Sequence, residues 1–408
     1  MWLIFIINYL CKYKLKPKIL IVADDLTGAS ELGGIAFNCG LTVRILLDSE
    51  NMVLFPEDVI ILDSNSRNMA PEEAYQKVKK LISCVDISSF DLVFKKVDSL
   101  LRGPLASEIK ALLDVMDIDQ AYLVPANPSM NRIIRSGKYY VDNVPVNRTD
   151  FRLDPHYPRT SKYVRDLITD SCNALITADD PNHKSRIRIM IPDMTSSEEL
   201  RSFVKDLPDE PMLLAGASDF FKELIFAKFN RKPSDEVRRF IITRSTHFLI
   251  GSNSQSSKKT VRILAGKDYF VSRLPIAALE NNDRYDEWTR HIISELMNQR
   301  CIVISGPARR IEDPLQINMI TDKLLMSAGM MVENLPFGSL LLIEGGETSS
   351  QFFRLKNWHD LTISDAFETG VVALSPPDCD IKIIIKPGSY KWPEYVLNPL
   401  QEVLHDND

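Results

Sequence analysis

Asp24 and Asp25 directly follow Ile19-Leu-Ile-Val22-Ala23, a short apolar run, and precede Thr27-Gly28 and a stretch over 28–39 with helical periodicity. A strand, a turn and a helix in that order put both acids at the carboxyl end of the strand. In an open parallel sheet ligands bind outside those ends, so two carboxylates there face a crevice. They are tolerated if they hold a cation, a hydroxyl or an arginine. The alternative is one N-cap carboxylate and one solvated carboxylate.

A second polar cluster, Lys96, Val97, Asp98, Ser99 and Arg102, follows an apolar run over 91–96, and Pro104 then opens a helix. Arg67 closes Asp63-Ser-Asn-Ser-Arg67 after a third run over 58–62. Lys and Arg beside carboxylates keep them ionised. The planar fork of Arg67 or Arg102 suits a small anion better than a lysine does. Asp25 or Asp98, within reach of a hydroxyl, is a candidate base, and Lys96 can offset developing negative charge. A purely structural ion-pair network accounts for the same residues.

The C-terminal half has three strand-to-turn elements of another kind: Gly251-Ser252-Asn253-Ser254, Gly345-Gly346-Glu347-Thr348 and Lys386-Pro387-Gly388-Ser389. Glycines let backbone N–H groups approach a phosphate, and a following helix favours negative charge at its start. Singly, each is also a common turn. Neither GxxxxGK[ST] nor GxGxxG occurs, which excludes P-loop and Rossmann dinucleotide sites by fingerprint.

The elements that must position these groups alternate. Strands are expected at 18–23, 42–47, 58–62, 91–96, 120–124, 186–191 and 211–215, with helices at 28–39, 71–84, 104–116, 160–170, 196–206 and 218–229. After a polar linker over 230–240 a second series follows, with strands at 247–251, 268–272, 301–305, 340–344 and 381–386. Its helices are expected at 255–265, 284–299, 312–330 and 347–356. This alternation predicts an α/β chain of two domains, each a mainly parallel sheet flanked by helices, with the active site in the interdomain cleft. The expected boundaries are a 1–17 extension, a domain over 18–232 and a domain over 240–408.

Pro125 to Pro158 breaks the rhythm with five prolines and reads as a long irregular excursion. Seven basic residues (Arg132, Arg135, Lys138, Arg148, Arg152, Arg159, Lys162) face three acids (Asp142, Asp150, Asp154) between Pro125 and Tyr163, which suits an anion-binding lid or a solvated basic loop.

At 408 residues, 45% hydrophobic, 25% charged and net −6, the chain is globular in composition, and its acidic balance argues against a nucleic-acid partner. Six cysteines without a CxxC pair point to reduced thiols and a cytoplasmic location. Six histidines without ligand spacing argue against a histidine metal site. The apolar stretch Trp2–Leu10 is too short to span a bilayer, so no membrane partner is expected, and it reads as an extra strand, a docking segment or an upstream start.

The order of these motifs resembles the four-carbon acid sugar kinase family, also called DUF1537. The resemblance rests on Ala23-Asp-Asp-Leu-Thr-Gly-Ala29, Lys96-Val-Asp-Ser-Leu-Leu-Arg-Gly103, Pro125-Ala-Asn-Pro128 with Arg132 and Gly137 to Val141, Asp154-Pro155, and the three C-terminal turns. It implies ATP-dependent phosphorylation of the terminal hydroxyl of threonate, erythronate or a 3-oxo-tetronate. It further implies a sugar-acid site at Asp25, Arg67 and Lys96 to Ser99, and an ATP site at Ser252, Gly345 to Thr348 and Gly388; Asp24, Arg102 and Ser254, which adjoin these in the same motifs, are candidates from their residue types alone. Mg²⁺ would accompany ATP; the residues name no metal ligands, and they leave room for a homodimer. The chain departs from the family pattern at Leu100, Asn131 and Ser389-Tyr390-Lys391. Two other classes remain open at this point: an ATP-independent sugar-acid isomerase or aldolase, and a non-catalytic sugar-acid-binding paralogue.

Overall fold

The structure, a computed structural model, describes residues 16–48, 55–154, 157–168, 187–234, 238–242, 245–252, 254–267, 269–298, 301–309, 311, 313–388 and 390–397. Most of the 1–17 extension, Pro155, Asn253 and Ser389 therefore lie outside the described residues. The chain divides into two compact units, Met1–Ser234 and Asp235–Asp408.

The first unit is built on β1 (Ile19–Ala23), whose five residues are all fully buried. Continuous apolar strands of this kind belong in sheets covered on both faces. Its chain continues through α1 (Leu26–Asn38), β2 (Val43–Leu47), β3 (Val59–Asp63), α2 (Pro71–Ser83), β4 (Leu92–Lys96), α3 (Leu105–Met116) and β5 (Gln120–Val124). After the excursion come α4 (Val164–Leu167), β9 (Arg188–Met190), α5 (Ser197–Lys205), β10 (Leu213–Gly216) and α6 (Ser218–Phe229). The strands lie in the order β2-β3-β1-β4-β10-β5-β9, all parallel. The chain runs from β1 out to β2, back to β3, then crosses to β4 on the other side of β1. That reversal is a topological switch point, where a crevice opens at the carboxyl ends.

The second unit contains β11 (Thr246–Ile250), α7 (Gln255–Ala265), β12 (Phe270–Arg273), α8 (Ala277–Glu280), α9 (Asn282–Met297), β13 (Ile302–Ser305), α10 (Pro314–Glu333), β14 (Leu340–Glu344), α11 (Gly346–Leu355), β15 (Asp360–Ala366), β16 (Val372–Ser375), β17 (Lys382–Lys386) and α12 (Glu394–Leu397). Its order is β12-β13-β11-β14-β17-β16-β15, so β11 is again the switch strand. A core of Phe248, Leu264, Val303, Leu342, Ile384 and Trp392 holds strands to helices. Full burial of a side chain of this size is worth about 1.5–3 kcal/mol.

Three expectations need correction. The excursion is ordered as a small antiparallel sheet of β6 (Arg132–Arg135), β7 (Lys138–Val141) and β8 (Val144–Pro145). Its tight turns at Ser136-Gly137 and Asp142-Asn143 carry positive φ at all four residues, which matches the twist of a hairpin. Of the helix expected at 160–170 only the turn α4 appears, and 169–170 lie outside the described residues. Thr27 and Gly28 are not a turn but the first turn of α1, because Asp25 caps the helix from just before them. The second sheet is mainly parallel as expected, but it also holds two strands not anticipated from sequence: β15 pairs antiparallel with β16, and β16 antiparallel with β17. Asp360–Ala366 shows alternating burial rather than an apolar run.

Candidate functional site

Register brings the N-terminal candidates together. Ala23 lies level with both Asp63 of β3 and Lys96 of β4, so the residues that follow three adjacent strands emerge at one height. Asp24 is fully buried, and its Oδ2 accepts from Arg67 Nε at 2.7 Å while Oδ1 has no hydrogen-bond partner. Asp25 caps α1, with Oδ1 accepting from the Gly28 amide at 2.8 Å and Oδ2 accepting from Arg67 Nη1. The third nitrogen of Arg67 is 3.9 Å from Asp98 Oδ1. Asp98 is itself forked by Arg102, from Nε at 2.8 Å and Nη2 at 2.9 Å, and Arg102 Nη1 also lies 3.5 Å from Asp154. Both arginines expected to meet a small anion are thus engaged by carboxylates of the protein.

The alternation of β4 sends its two lysines to opposite faces. Lys96 Nζ lies 3.4 Å from Glu31 and donates to the Val97 carbonyl at 2.8 Å. Lys95 pairs with fully buried Glu108 at 3.0 Å. Glu108 also accepts from Ser66, anchoring the turn that carries Arg67. Gly28 has a steric reason: a Cβ there would stand 3.0 Å from the Lys96 chain and 3.1 Å from Asp25 Oδ1. Val97 joins the core, its amide bonded to Gly216, so only its carbonyl faces the cluster. Ser99 Oγ accepts from Arg132, and its carbonyl accepts from the Tyr139 hydroxyl. Arg132, Tyr139, Tyr157 and Arg159 show that the hairpin and the segment after it pack onto the Asp98–Arg102 loop, since Tyr157 donates to the Arg67 carbonyl and Arg159 to those of Leu100 and Leu101. Sequence reasoning listed Arg159 only as loop charge, gave Arg132 no role beyond loop charge and a motif match, and missed Glu31, Glu108 and Tyr157.

The three carboxylates differ. Burial would raise Asp24, but the Arg67 guanidinium, with Lys95 and Lys96, holds it below its ordinary value. Burial would likewise raise Asp98, and Arg102 with Arg67 drives it well below that range. Asp25 goes the other way: burial, helped by the charge of Asp24, lifts it despite Arg67. Its side chain is also the most open of the three, 20% exposed against 1% and 9%. A carboxylate that is reachable and ready to accept a proton is what a general base requires.

In the second unit Ile250 lies level with Ser305 and Glu344, and Glu344 with Lys386. The glycine turns converge there. A Cβ on Gly251 would come 2.1 Å from Thr348 Oγ1, one on Gly388 would come 3.0 Å from Ser252 Oγ, and one on Gly345 would stand 3.7 Å from Ser252 Cβ. Gly345 has φ +119° and leaves the start of α11, at Gly346, without a side-chain cap. Ser254 caps α7 by accepting from the Ser257 amide. Glu347 points outward and accepts from Gln351. Beneath the turns, fully buried Glu344 accepts from Ser257 and from Trp392 Nε1 at 2.7 Å, with Lys386 Nζ 3.6 Å away. A cavity of about 250 Å³ opens beside Gly251 and Ser252, lined further by Lys258, Arg273, Ser305 and Arg309 over an apolar floor that includes Ile320. The turn at Ser305-Gly306 was not singled out from sequence, although it too follows a strand with a small residue and a glycine.

Among the described residues no group of three His, Cys, Asp or Glu could hold a metal ion, and no helix is long and apolar enough to cross a membrane.

Residues 19–224, about half of the chain, match the family described as "Sugar-binding N-terminal domain". The chain is 36% identical over 156 residues to D-erythronate kinase of Heliobacterium modesticaldum, a match covering 37% of this chain and 35% of the relative. It is 24% identical over 347 residues to D-threonate kinase of Salmonella typhimurium, covering 78% of each. The crystal structure of a Haemophilus influenzae protein of the DUF1537 family superposes with a TM-score of 0.66 at 19% identity, over 91% of this chain and 97% of that one, which shows a shared fold.

Proposed function

The chain belongs to the four-carbon acid sugar kinase family, and from that premise we propose that it transfers the γ-phosphoryl group of ATP to the terminal hydroxyl of a four-carbon sugar acid such as threonate, erythronate or a 3-oxo-tetronate. The observation that carries this reading is the meeting of Asp25, Arg67 and Lys96 at one switch point, with Asp25 the open carboxylate of raised pKa.

In this mechanism Asp25 accepts the proton of the hydroxyl as its oxygen attacks the γ-phosphorus, and the bond from that phosphorus to the ADP oxygen breaks. Lys96, held 3.4 Å from Glu31, offsets charge on the transferring group. Arg67 holds Asp24 and Asp25 in place, and Asp24 Oδ1, buried without a partner, offers an acceptor to a sugar hydroxyl. Ser252, Gly345 to Thr348 and Gly388 receive the phosphates on backbone amides and the open start of α11. The base and ribose occupy the cavity beside Ser252. Magnesium, entering with ATP and held mainly by phosphate and water, would neutralise phosphate charge.

The test is ADP release, followed with a coupled assay across D-threonate, D-erythronate and 3-oxo-tetronates with ATP and Mg²⁺. Turnover dependent on both ligands supports the reading. Conversion of an acid without nucleotide would replace it with isomerase or aldolase chemistry, and binding without turnover would leave a sugar-acid-binding protein.

A further inference from the structure

A sugar acid needs a cation whose charge the protein has not already spent. At the first unit's switch point Arg67 faces three carboxylates, Arg102 is forked on Asp98 and near Asp154, Lys96 sits by Glu31 and Lys95 by Glu108. Two guanidinium groups differ. Arg159 is buried, and it donates to backbone carbonyls, those of Tyr157, Leu100, Leu101 and Leu167. It shapes the Asp98–Arg102 loop and is held by several bonds at once. Arg132 begins β6, is half-buried, donates to the neutral hydroxyl of Ser99 and lies 5.9 Å from the Phe151 ring. Among the described residues no carboxylate lies within salt-bridge distance of either.

Resting on the kinase reading, we infer that Arg132 binds the carboxylate of the sugar acid and so selects an acid over the corresponding neutral polyol. Ser99 adjoins Asp98, Asp98 faces Arg67, and Arg67 holds Asp25, so Arg132 and the base stand at opposite ends of one continuous chain of contacts. Exchanging the Ser99 hydroxyl for a carboxylate replaces one neutral acceptor with a charge-assisted, bidentate one. The ring of Phe151 and the hairpin keep the guanidinium oriented, which limits the ordering cost of binding. Arg67 and Arg102 then serve to position carboxylates of the protein.

The experiment measures binding of D-threonate and D-erythronate by calorimetry without nucleotide, and kcat/KM for these acids and for threitol and erythritol. The proteins compared are wild type, Arg132→Gln, Arg132→Lys and Arg135→Gln. Arg135 lies on the same strand, stacks on Tyr140 and is exposed, so it controls for a general loss of positive charge. Loss of one charge-assisted contact is expected to weaken acid binding about 10- to 150-fold in Arg132→Gln. Arg132→Lys should fall between, and Arg135→Gln should stay within about threefold. The polyols should change little, so the preference for acid collapses. Acid binding in Arg132→Gln within threefold of wild type overturns the inference while leaving the kinase reading intact. If Arg132→Gln does not fold, Arg132→Lys decides: wild-type affinity with the fork lost overturns the bidentate role. A wild type that binds the acids but releases no ADP refutes the kinase reading alone, and one that binds neither acid refutes both.

Discussion

Asn substitutions at Asp24 and Asp25 separate structure from chemistry at adjacent residues. Asp25→Asn keeps an N-cap of equal quality for the Gly28 amide, since Asn and Asp rank together there. Burial disfavours its charged form relative to an exposed aspartate, so the neutral amide should cost less stability here than at Asp24. The same change removes the proton acceptor, which should lower kcat by about 10²–10⁴-fold. Asp24→Asn does the reverse. Its buried carboxylate is stabilised in the charged form and holds Arg67 Nε at 2.7 Å, and breaking a buried pair costs about 3–5 kcal/mol. Arg67 keeps Asp25 and faces Asp98, so the lower end, about 3 kcal/mol, is expected, or roughly 6–12 °C in Tm for a unit of this size. Thermal unfolding by circular dichroism and steady-state ADP release measure both quantities on both variants. Near-normal kcat in Asp25→Asn, or equal Tm losses in the two proteins, would refute the assignment of the base to Asp25 and of the structural load to Asp24.

Because the pKa of Asp25 is raised above 3.8 in the fold, the acid limb of the kcat–pH profile should lie above that value and vanish in Asp25→Asn. Asp24 and Asp98 are depressed, so the stability they contribute is present above about pH 4 and is lost as pH falls through their native values; urea melts from pH 6 to 3 should show this loss, smaller in Asp98→Asn. In the second unit Glu344→Gln leaves Lys386 buried beside a neutral group and should cost about 3 kcal/mol, with the Glu344→Gln/Lys386→Met double variant losing less than the sum of the single variants in urea unfolding. Gly251→Ala drives a methyl into Thr348 Oγ1, so about 1–3 kcal/mol should be lost with weaker ATP binding by calorimetry, and Thr348→Gly in the same chain should restore part of the stability. Gly137→Ala meets no atom within 4 Å yet sits at φ +67°, so its cost should be purely conformational, about 1–2 kcal/mol in Tm-derived stability, with no change in a reaction centred on Asp25.

Where the residues are locally self-sufficient, the amino-acid sequence by itself determined the outcome. Apolar runs such as Ile19–Val22 and Leu340–Ile343 can only be buried strands, and the polar or glycine-rich tips after them follow from where those runs stop. The excursion was misread because five prolines masked two short hairpin turns, Ser136-Gly137 and Asp142-Asn143, whose signal lies in turn residues and not in hydrophobic period. Alternation over Asp360–Ala366 was equally present, but a short alternating stretch without an apolar run gives a weak pattern.

Tertiary structure alone decided which charges meet. Arg67 is 42 residues from Asp25, and nothing local states that its fork is filled by Asp24 and Asp25 while Arg132 finds only a hydroxyl. Nor does composition tell Asp25 from Asp98, which share a residue type and a strand-end position. Burial against the number of neighbouring guanidinium groups sets one up as an acceptor of protons and fixes the other as a permanent anion. Strand order brings these groups into range, and pairing energies between groups far apart in the chain exist only once that order has formed.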